Sequence, residues 1–205
     1  ISIANRHMQI TLNNLLDISQ IYDNKLKLNK QPVALKSIVD LVIPIFNFAQ
    51  VKRIDIRQKI PLSLSRLCAD ENRMIQILFI LINNALHYLE KGWILIEAEE
   101  KDHAISISVS DNGSGITEEF IDDIFNPYIN DPKSKGRRNT GIDLFICRQL
   151  VRIHGGELTV ESEEDKGSKF NFTIPVYNAN KEVLKEPSTI DHLITSFDEE
   201  LFNVN

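Results

Sequence analysis

The chain has 205 residues and 42% hydrophobic content, which suffices for one domain of ordinary size with short appendages. Its formal net charge of −6 argues against a general binder of nucleic acid or acidic membranes, because such proteins neutralise phosphates with excess Lys and Arg. The two cysteines, Cys68 and Cys147, have neither metal-ligand spacing nor a disulfide framework, so we expect no structural zinc and a reducing compartment.

The first predicted element is an amphipathic helix over residues 3–27. Its apolar side needs a partner and consists of Leu12, Leu15, Leu16, Ile18 and Ile21. No apolar run in the chain reaches membrane-spanning length, and the N-terminus lacks a signal-peptide pattern. We therefore expect these residues to be soluble and cytoplasmic. The chain begins with Ile rather than Met, so we also expect it to be a piece of a longer protein. Any membrane anchor would precede it.

A second helix is predicted over residues 70–91, with Asp70 as its N-cap and Gly92 just past its end. Apolar residues recur at helical spacing along it. They are Met74, Ile77, Leu78, Leu81, Ile82, Ala85 and Leu89. A second stripe of the same helix, at steps of three and four, is polar except at one isoleucine. Its members are Gln76, Ile80, Asn84, His87 and Lys91.

An alternating strand then ends in a turn that carries a carboxylate and two glycines, Asp111, Gly113 and Gly115. An ionised Asp accepts a hydrogen bond from an exocyclic amine, and glycines let the backbone approach a flat ring or a phosphate. Such a turn can hold a purine. The composition is also common in surface turns, so its meaning depends on the other motifs.

A second glycine-containing turn, residues 139–146, opens a predicted helix that runs from 141 to about 154. Backbone N–H groups at such a helix N-terminus can face phosphates. Two alternating segments, residues 158–161 and 170–174, predict closing strands.

In this order the motifs resemble the catalytic, ATP-binding domain of sensor histidine kinases, within the gyrase, Hsp90, histidine kinase and MutL superfamily. Residues 76–88 resemble the N box, 111–116 the G1 box and 141–146 the G2 box. Residues 146–156 and 167–170 resemble the family's closing helix and hairpin. The resemblance implies an α+β fold, a two-layer α/β sandwich with helices on one face of a mixed sheet, preceded by a long dimerisation helix.

The resemblance also implies a division of the chain. Residues 1–30 would be the end of the dimerisation hairpin, 31–177 the ATP-binding domain and 178–205 an acidic polar tail. The tail is either a linker or a short amphipathic helix around 190–202. The helix with the phosphoacceptor histidine is missing, and His7 lacks the acidic residue that usually follows it, so His7 is interpreted as an ordinary helical residue.

Site roles follow from the resemblance residue by residue. Asp111 would contact the adenine amine, and Gly113, Gly115 and Ile116 would shape the adenine pocket. Asn84, whose amide oxygen is a suitable hard ligand, would coordinate the Mg²⁺ that bridges the phosphates of ATP.

His87 stands where the family often has a Lys or Arg near the phosphates, and it is equally compatible with a solvated helix residue. Tyr88 stands where an aromatic commonly lies near the nucleotide. Thr140 and Gly141 would bind the nucleotide at the opening of the G2 helix. Residues 126–139 would be a lid over the triphosphate, or otherwise an ordinary surface loop.

Three positions depart from the family pattern. Ile80 replaces the first Asn of the N box, where ATPase branches carry a catalytic Glu, and Asn139 replaces a glycine at the start of G2. Asp143 replaces the second G2 glycine, which adds negative charge where the backbone normally approaches phosphate. The lid's basic residues could neutralise that charge. They are Lys133, Lys135, Arg137 and Arg138.

Two functions therefore stay open at this point. One is the catalytic portion of a two-component sensor histidine kinase, which transfers phosphoryl from ATP to a histidine and onward to a response regulator. The other is an inactive pseudo-histidine-kinase that acts as an interaction module. The expected partners are a homodimer formed through the first helix and a response regulator receiver domain or another sensor kinase. A gyrase-like or Hsp90-like ATPase is a distant third, because Ile80 removes the water-activating carboxylate.

Overall fold

The computed structural model of the chain describes residues 17–21, 23, 25–49, 53–127 and 141–178. Within these residues, no helix is long and apolar enough to cross a membrane. Several positions singled out in the sequence lie outside the described residues. They are His7, Leu12, Leu15, Leu16, Asn139, Thr140, the four basic lid residues and the tail from 179 onward.

One layer of the molecule is a five-stranded mixed sheet with the strand order β2-β4-β5-β7-β6. β2 and β4 are parallel, and the other neighbours are antiparallel. The strands are β2 Arg53–Lys59, β4 Lys91–Lys101, β5 Ala104–Asp111, β6 Leu158–Glu163 and β7 Gly167–Pro175. A separate antiparallel pair is formed by β1 Gln31–Val33 and β3 Leu67–Ala69.

Helices form the second layer. They are the helical residues 17–21, labelled α1, then α2 Leu35–Ala49, α3 Glu71–Tyr88, α4 Glu118–Ile121 and α5 Asp143–His154. The sheet residues that face the helix layer are buried, and they alternate with half-buried ones as the pleat requires. In β5 and β7 they are Ile105, Ile107, Val109, Phe170, Phe172 and Ile174. The predicted α+β two-layer sandwich is confirmed.

The start of α3 agrees with the prediction, but its end does not. Asp70 is the N-cap, and its carboxylate accepts the backbone N–H of Arg73 at 3.2 Å. The helix ends at Tyr88 because Leu89 turns to extended backbone, and Lys91 already begins β4. Leu89 is buried at this turn although it is not helical. Its spacing from the apolar residues of α3 matches the helical period, so the sequence pattern extended the helix too far.

The two other predicted helix boundaries also shift. α5 begins at Asp143 rather than 141, because Gly141 has a φ of 65° and lies outside the helix. The first helix does not reach residue 27: Asp23 lies in a turn and residues 25–30 are not helical. The N–H of Lys25 bonds to the carbonyl of Gln20 at 2.8 Å, a closing bond typical of helix ends.

α1 is attached to α3 by a buried ion pair. The side chain of Asp17 is 6% exposed. Its carboxylate accepts hydrogen bonds from the guanidinium of Arg73 at 2.7 Å and from the side-chain amide of Gln76 at 2.8 Å. Ile18 packs on the domain core and Ile21 is buried. This end of the predicted dimerisation helix therefore packs within the chain, and Gln76 binds Asp17.

A hydrogen-bonded junction joins α3, α5 and residues 25–30, the segment between α1 and β1. The Asp70 carboxylate also accepts the N–H of Asn29 at 2.9 Å, and the Asp70 N–H donates to Nε2 of His154 at 3.1 Å. Nδ1 of His154 bonds the Leu150 carbonyl at 2.7 Å, so the buried imidazole is neutral, with its proton on Nδ1. Burial lowers the pKa of His154 below its usual 6.5.

We expect this junction to make the domain less stable in mild acid. Because the folded chain resists protonation of His154 and the unfolded chain does not, the stability is fully present above pH 6.5 and is lost as the pH falls toward the lowered pKa. The slope from one such proton is at most about 1.4 kcal/mol per pH unit. Urea unfolding at pH 5 to 8 measures it.

His154→Asn should remove this part of the pH dependence and destabilise the domain at pH 7, since the Asp70 N–H loses its acceptor. The matched control is His103→Asn. His103 is exposed and has a φ of 64°, a backbone conformation that Asn tolerates. An unchanged slope in His154→Asn, or an equal change in both variants, would contradict the prediction.

Candidate functional site

The carboxylate of Asp111 lies at the end of β5 and is buried, with 7% of the residue exposed. It accepts the backbone N–H of Gly113 at 2.7 Å and also bonds the backbone N–H of Ser168. Burial raises the pKa of Asp111, and these two N–H groups lower it in part. The site thus holds a fixed, poorly solvated acceptor at the place that the sequence predicted.

The turn after Asp111 has room for backbone only. A Cβ on Gly115, where φ is 64°, would lie 2.0 Å from the carbonyl oxygen of Glu163. A Cβ on Gly167, where φ is 106°, would lie 2.0 Å from the carbonyl oxygen of Asp111. The G1 box therefore packs directly on the β6–β7 turn, and glycine is required at both positions.

The G1 box also touches the end of α3. A Cβ on Gly113 would lie 3.1 Å from the backbone oxygen of Tyr88. The rings of His87 and Tyr88 meet edge to face with centroids 5.4 Å apart. Asn84 is one turn earlier on the same helix face as Tyr88 and is half-buried. The structure thus brings together Asp111, Gly113 and the last turn of the N box.

Ile80 belongs to the core. It is 4% exposed and packs with the other buried residues of α3. The members of the second stripe therefore have different environments. Gln76 bonds Asp17, Ile80 is core and Lys91 lies in β4. Asn84 and His87 lie in the C-terminal part of α3, whose last residue, Tyr88, faces the G1 box.

The G2 box places Gly141 ahead of α5 and Asp143 at its first position. The N-cap residue, Ile142, makes no side-chain capping hydrogen bond. Asp143 is the acidic residue in the first turn of this helix. A carboxylate is favourable there, because the helix dipole is positive at its N-terminus. Thr140 lies outside the described residues.

Residues 69–178 match the protein family described as histidine kinase-, DNA gyrase B-, and HSP90-like ATPase. The chain belongs to this family. Within it, the chain is a histidine kinase ATP-binding catalytic domain, since the similar curated proteins are sensory kinases and the similar structures are histidine kinases.

Two curated relatives are adaptive-response sensory kinases SasA. The protein of Prochlorococcus marinus (strain MIT 9313) is 38% identical over 132 residues, which cover 63% of this chain and 36% of the relative. That of Synechococcus sp. (strain JA-2-3B'a(2-13)) is 30% identical over 182 residues, which cover 86% of this chain and 48% of the relative. The chain thus spans less than half of the length of these relatives.

Two solved structures show the same likeness. Full-length ShkA in complex with AMPPNP has a TM-score of 0.74 at 27% identity, covering 84% of this chain and 36% of that chain. The catalytic domain of histidine kinase ThkA has a TM-score of 0.63 at 29% identity, covering 74% of this chain and 97% of that chain. The similarity thus extends over almost the whole of the ThkA catalytic domain.

Sequence reasoning missed two contributors to the G1 region. Asn112 accepts the N–H of Trp93 at 2.7 Å and so joins β4 to the turn. Ser162 on β6 accepts the N–H of Ile116 at 2.8 Å. A single serine on an edge strand matches no motif that one sequence could reveal. Gly167, whose carbonyl accepts the Ser162 hydroxyl, lies in the 167–170 segment that the sequence pattern identified.

Gly115→Ala should destabilise the catalytic domain by about 1–3 kcal/mol more than Gly155→Ala, because its Cβ would overlap backbone that cannot move aside. Gly155 is the matched control: its φ is 90°, but a Cβ there meets only Pro175 at 3.6 Å. The two variants share the cost of a left-handed alanine and differ in packing. Equal losses in chemical denaturation would contradict the close approach.

Proposed function

We propose that this chain binds Mg·ATP and is the catalytic portion of a sensor histidine kinase, which transfers the γ-phosphoryl group to a histidine and then serves a response regulator. The observation that carries the proposal is the carboxylate of Asp111. It is buried, held by two backbone N–H groups and placed beside the end of the N box.

On the adenine side, the carboxylate of Asp111 would accept a hydrogen bond from the exocyclic amine of the base. The Gly113 and Ser168 N–H groups occupy part of the carboxylate and fix its direction, so little reorganisation is needed when the base binds. Gly113, Gly115 and Ile116 would form the wall of the pocket, since their backbone is held between Tyr88 and the β6–β7 turn.

On the phosphate side, Asn84 would supply an amide oxygen to the Mg²⁺ that accompanies ATP. Among the described residues, no group of three or more His, Cys, Asp or Glu could hold a metal ion. Mg²⁺ bound with a nucleotide needs no such group, because phosphates and waters supply most ligands. Bound Mg²⁺ would neutralise phosphate charge. His87, Tyr88, Thr140 and Gly141 would complete this side.

The described residues favour the kinase over an inactive homologue. Ile80 contributes to the core and leaves the Asp111 region intact, and Asp143 is compatible with the N-terminus of α5. Neither departure disrupts the fold around the carboxylate. The relatives named above are kinases, and none of the observations favours an interaction module.

The remaining proposals concern the longer protein. Residues 1–30 would end the dimerisation hairpin, residues 31–177 would be the catalytic domain, and the tail would be a separate piece. A homodimer would form through the part of the first helix before Asp17, because Ile18 and Ile21 already pack within the chain. The partner in phosphotransfer would be a response regulator receiver domain.

Calorimetry with Mg·ATP and Mg·ITP tests the function directly. The wild-type chain should prefer ATP, because ITP carries a carbonyl where adenine carries the amine that Asp111 accepts. Asp111→Asn should weaken ATP binding about 10- to 100-fold, the equivalent of the 1.5–3 kcal/mol typical of a hydrogen bond to a charged group. The same change should erase the preference for ATP, since an amide can donate to the carbonyl of ITP.

The same variant should not lose stability at pH 7. A raised pKa means that the ionised Asp111 disfavours the fold above pH 3.8, so neutral Asn removes an unfavourable term. Asp102→Asn, at the exposed turn at the other end of β5, is the matched control and should change neither property. Equal affinity of the wild type for ATP and ITP, or no ATP binding at all, would contradict the proposal.

Asp143→Asn should strengthen ATP binding on the order of tenfold, the equivalent of about 1.4 kcal/mol, and leave adenosine binding unchanged. A like-charge cost near 4 kcal/mol would hold at 4 Å and a dielectric of 20, but Asp143 is half-buried and salt reduces the repulsion. The domain should lose about 0.3–1 kcal/mol of stability, because a favourable charge leaves the N-terminus of α5.

Glu71→Gln is the control for Asp143→Asn. It removes an acidic residue from the first turn of α3, at the opposite end of that helix from Asn84 and Tyr88. It should lower stability in the same way without changing ATP affinity. Weaker ATP binding by Asp143→Asn would show that the carboxylate assists the phosphate side.

A further inference from the structure

We propose that Ser162, on β6, is a positioning residue for the adenine side of the site. Its hydroxyl fixes the end of the G1 box on the β6–β7 hairpin, and this contact holds the turn that presents Asp111 to the base. The inference rests on the proposed nucleotide binding and names a residue that acts through the G1 backbone.

The hydrogen bonds of Ser162 use its hydroxyl completely. It donates to the carbonyl of Gly167 at 2.9 Å and accepts the N–H of Ile116 at 2.8 Å. The hydroxyl of Ser168 lies 3.0 Å away. Because the single proton of Ser162 is directed to Gly167, Ser168 is the donor in this pair. One side chain therefore joins G1 to the start of β7.

On the β7 side, that junction lies one residue from a backbone group that bonds the Asp111 carboxylate. The backbone N–H of Ser168 bonds Asp111, and the carbonyl of Gly167, which Ser162 holds, belongs to the adjacent residue. On the G1 side, the N–H of Asp165 bonds the carbonyl of Ser114 at 2.8 Å. Besides Asp111 itself, whose carboxylate bonds Gly113 and Ser168, Ser162 is the only side chain among the described hydrogen bonds that bridges the G1 backbone and β7.

Loss of this hydroxyl should loosen the loop before it unfolds the domain. Without it, the Ile116 N–H and the Gly167 carbonyl lose their partner in a half-buried place, and movement of the G1 box toward water restores hydration. A loop that spends less time in the binding geometry lowers the apparent affinity by the same fraction. The effect should fall on adenine and spare the phosphates.

The test compares Ser162→Ala with Ser162→Thr, which keeps the hydroxyl, and Ser162→Cys, which keeps the size. Thr159→Val is the matched control, since its hydroxyl bonds the Asn171 carbonyl at 3.3 Å on the exposed part of the same strand. Calorimetry with Mg·ATP, adenosine and inorganic triphosphate gives the affinities. Amide hydrogen exchange at Ile116 reports on the loop, and urea unfolding reports on the fold.

Ser162→Ala should weaken ATP and adenosine by the same factor, about tenfold, and leave triphosphate unchanged. The Ile116 amide should exchange at least about tenfold faster. Ser162→Thr should restore both values, Ser162→Cys should lie between, and Thr159→Val should match the wild type.

Three results would overturn the inference. The first is unchanged adenosine affinity in Ser162→Ala. The second is an equal loss for triphosphate, which would indicate general destabilisation. The third is a wild-type chain that binds neither ATP nor adenosine, and this alone would remove the proposed function as well.

Discussion

The adenine side of this domain depends on a close contact between two backbones, the G1 box and the end of the β6–β7 hairpin. At Gly115 and Gly167 the facing carbonyl oxygens leave no space for a Cβ. The pairing of β5 with β7 brings Ser168 beside the end of β5, and its N–H then reaches the carboxylate of Asp111. The orientation of the one buried acceptor of the site thus follows from sheet register and two glycines.

α3 connects this region to the segment that precedes the domain. Its first half holds the ion pair with Asp17 and the Asp70 junction with His154, and its last turn meets the G1 box at Gly113. A helix of 18 residues spans about 27 Å, so the two ends are far apart but belong to one hydrogen-bonded rod. The segment of residues 25–30, the end of the first helix and the G1 box therefore all contact the same element.

Sequence patterns predicted the elements better than the contacts between them. The alternation before Asp111, the N-cap at Asp70 and the helices α3 and α5 are confirmed because they depend on local periodicity and capping. The predicted end of α3 was wrong, because Leu89 is buried by tertiary packing at a turn rather than by a helix. The role of Ser162 depends on a neighbour 46 residues away, which no local pattern encodes. Roles of individual site residues remain proposals.

The two departures that lie within the described residues, Ile80 and Asp143, have a common physical character. Ile80 adds an apolar side chain to the core, and Asp143 puts a favourable charge at a helix N-terminus. Each exchanges a possible ligand contact for stability of the fold. Asp111 is the opposite case, because burial of its charge disfavours folding and the backbone groups that bond it offset only part of that cost. A buried carboxylate that is kept at a cost to folding is typical of a ligand-binding site, so Asp111 favours a working adenine site.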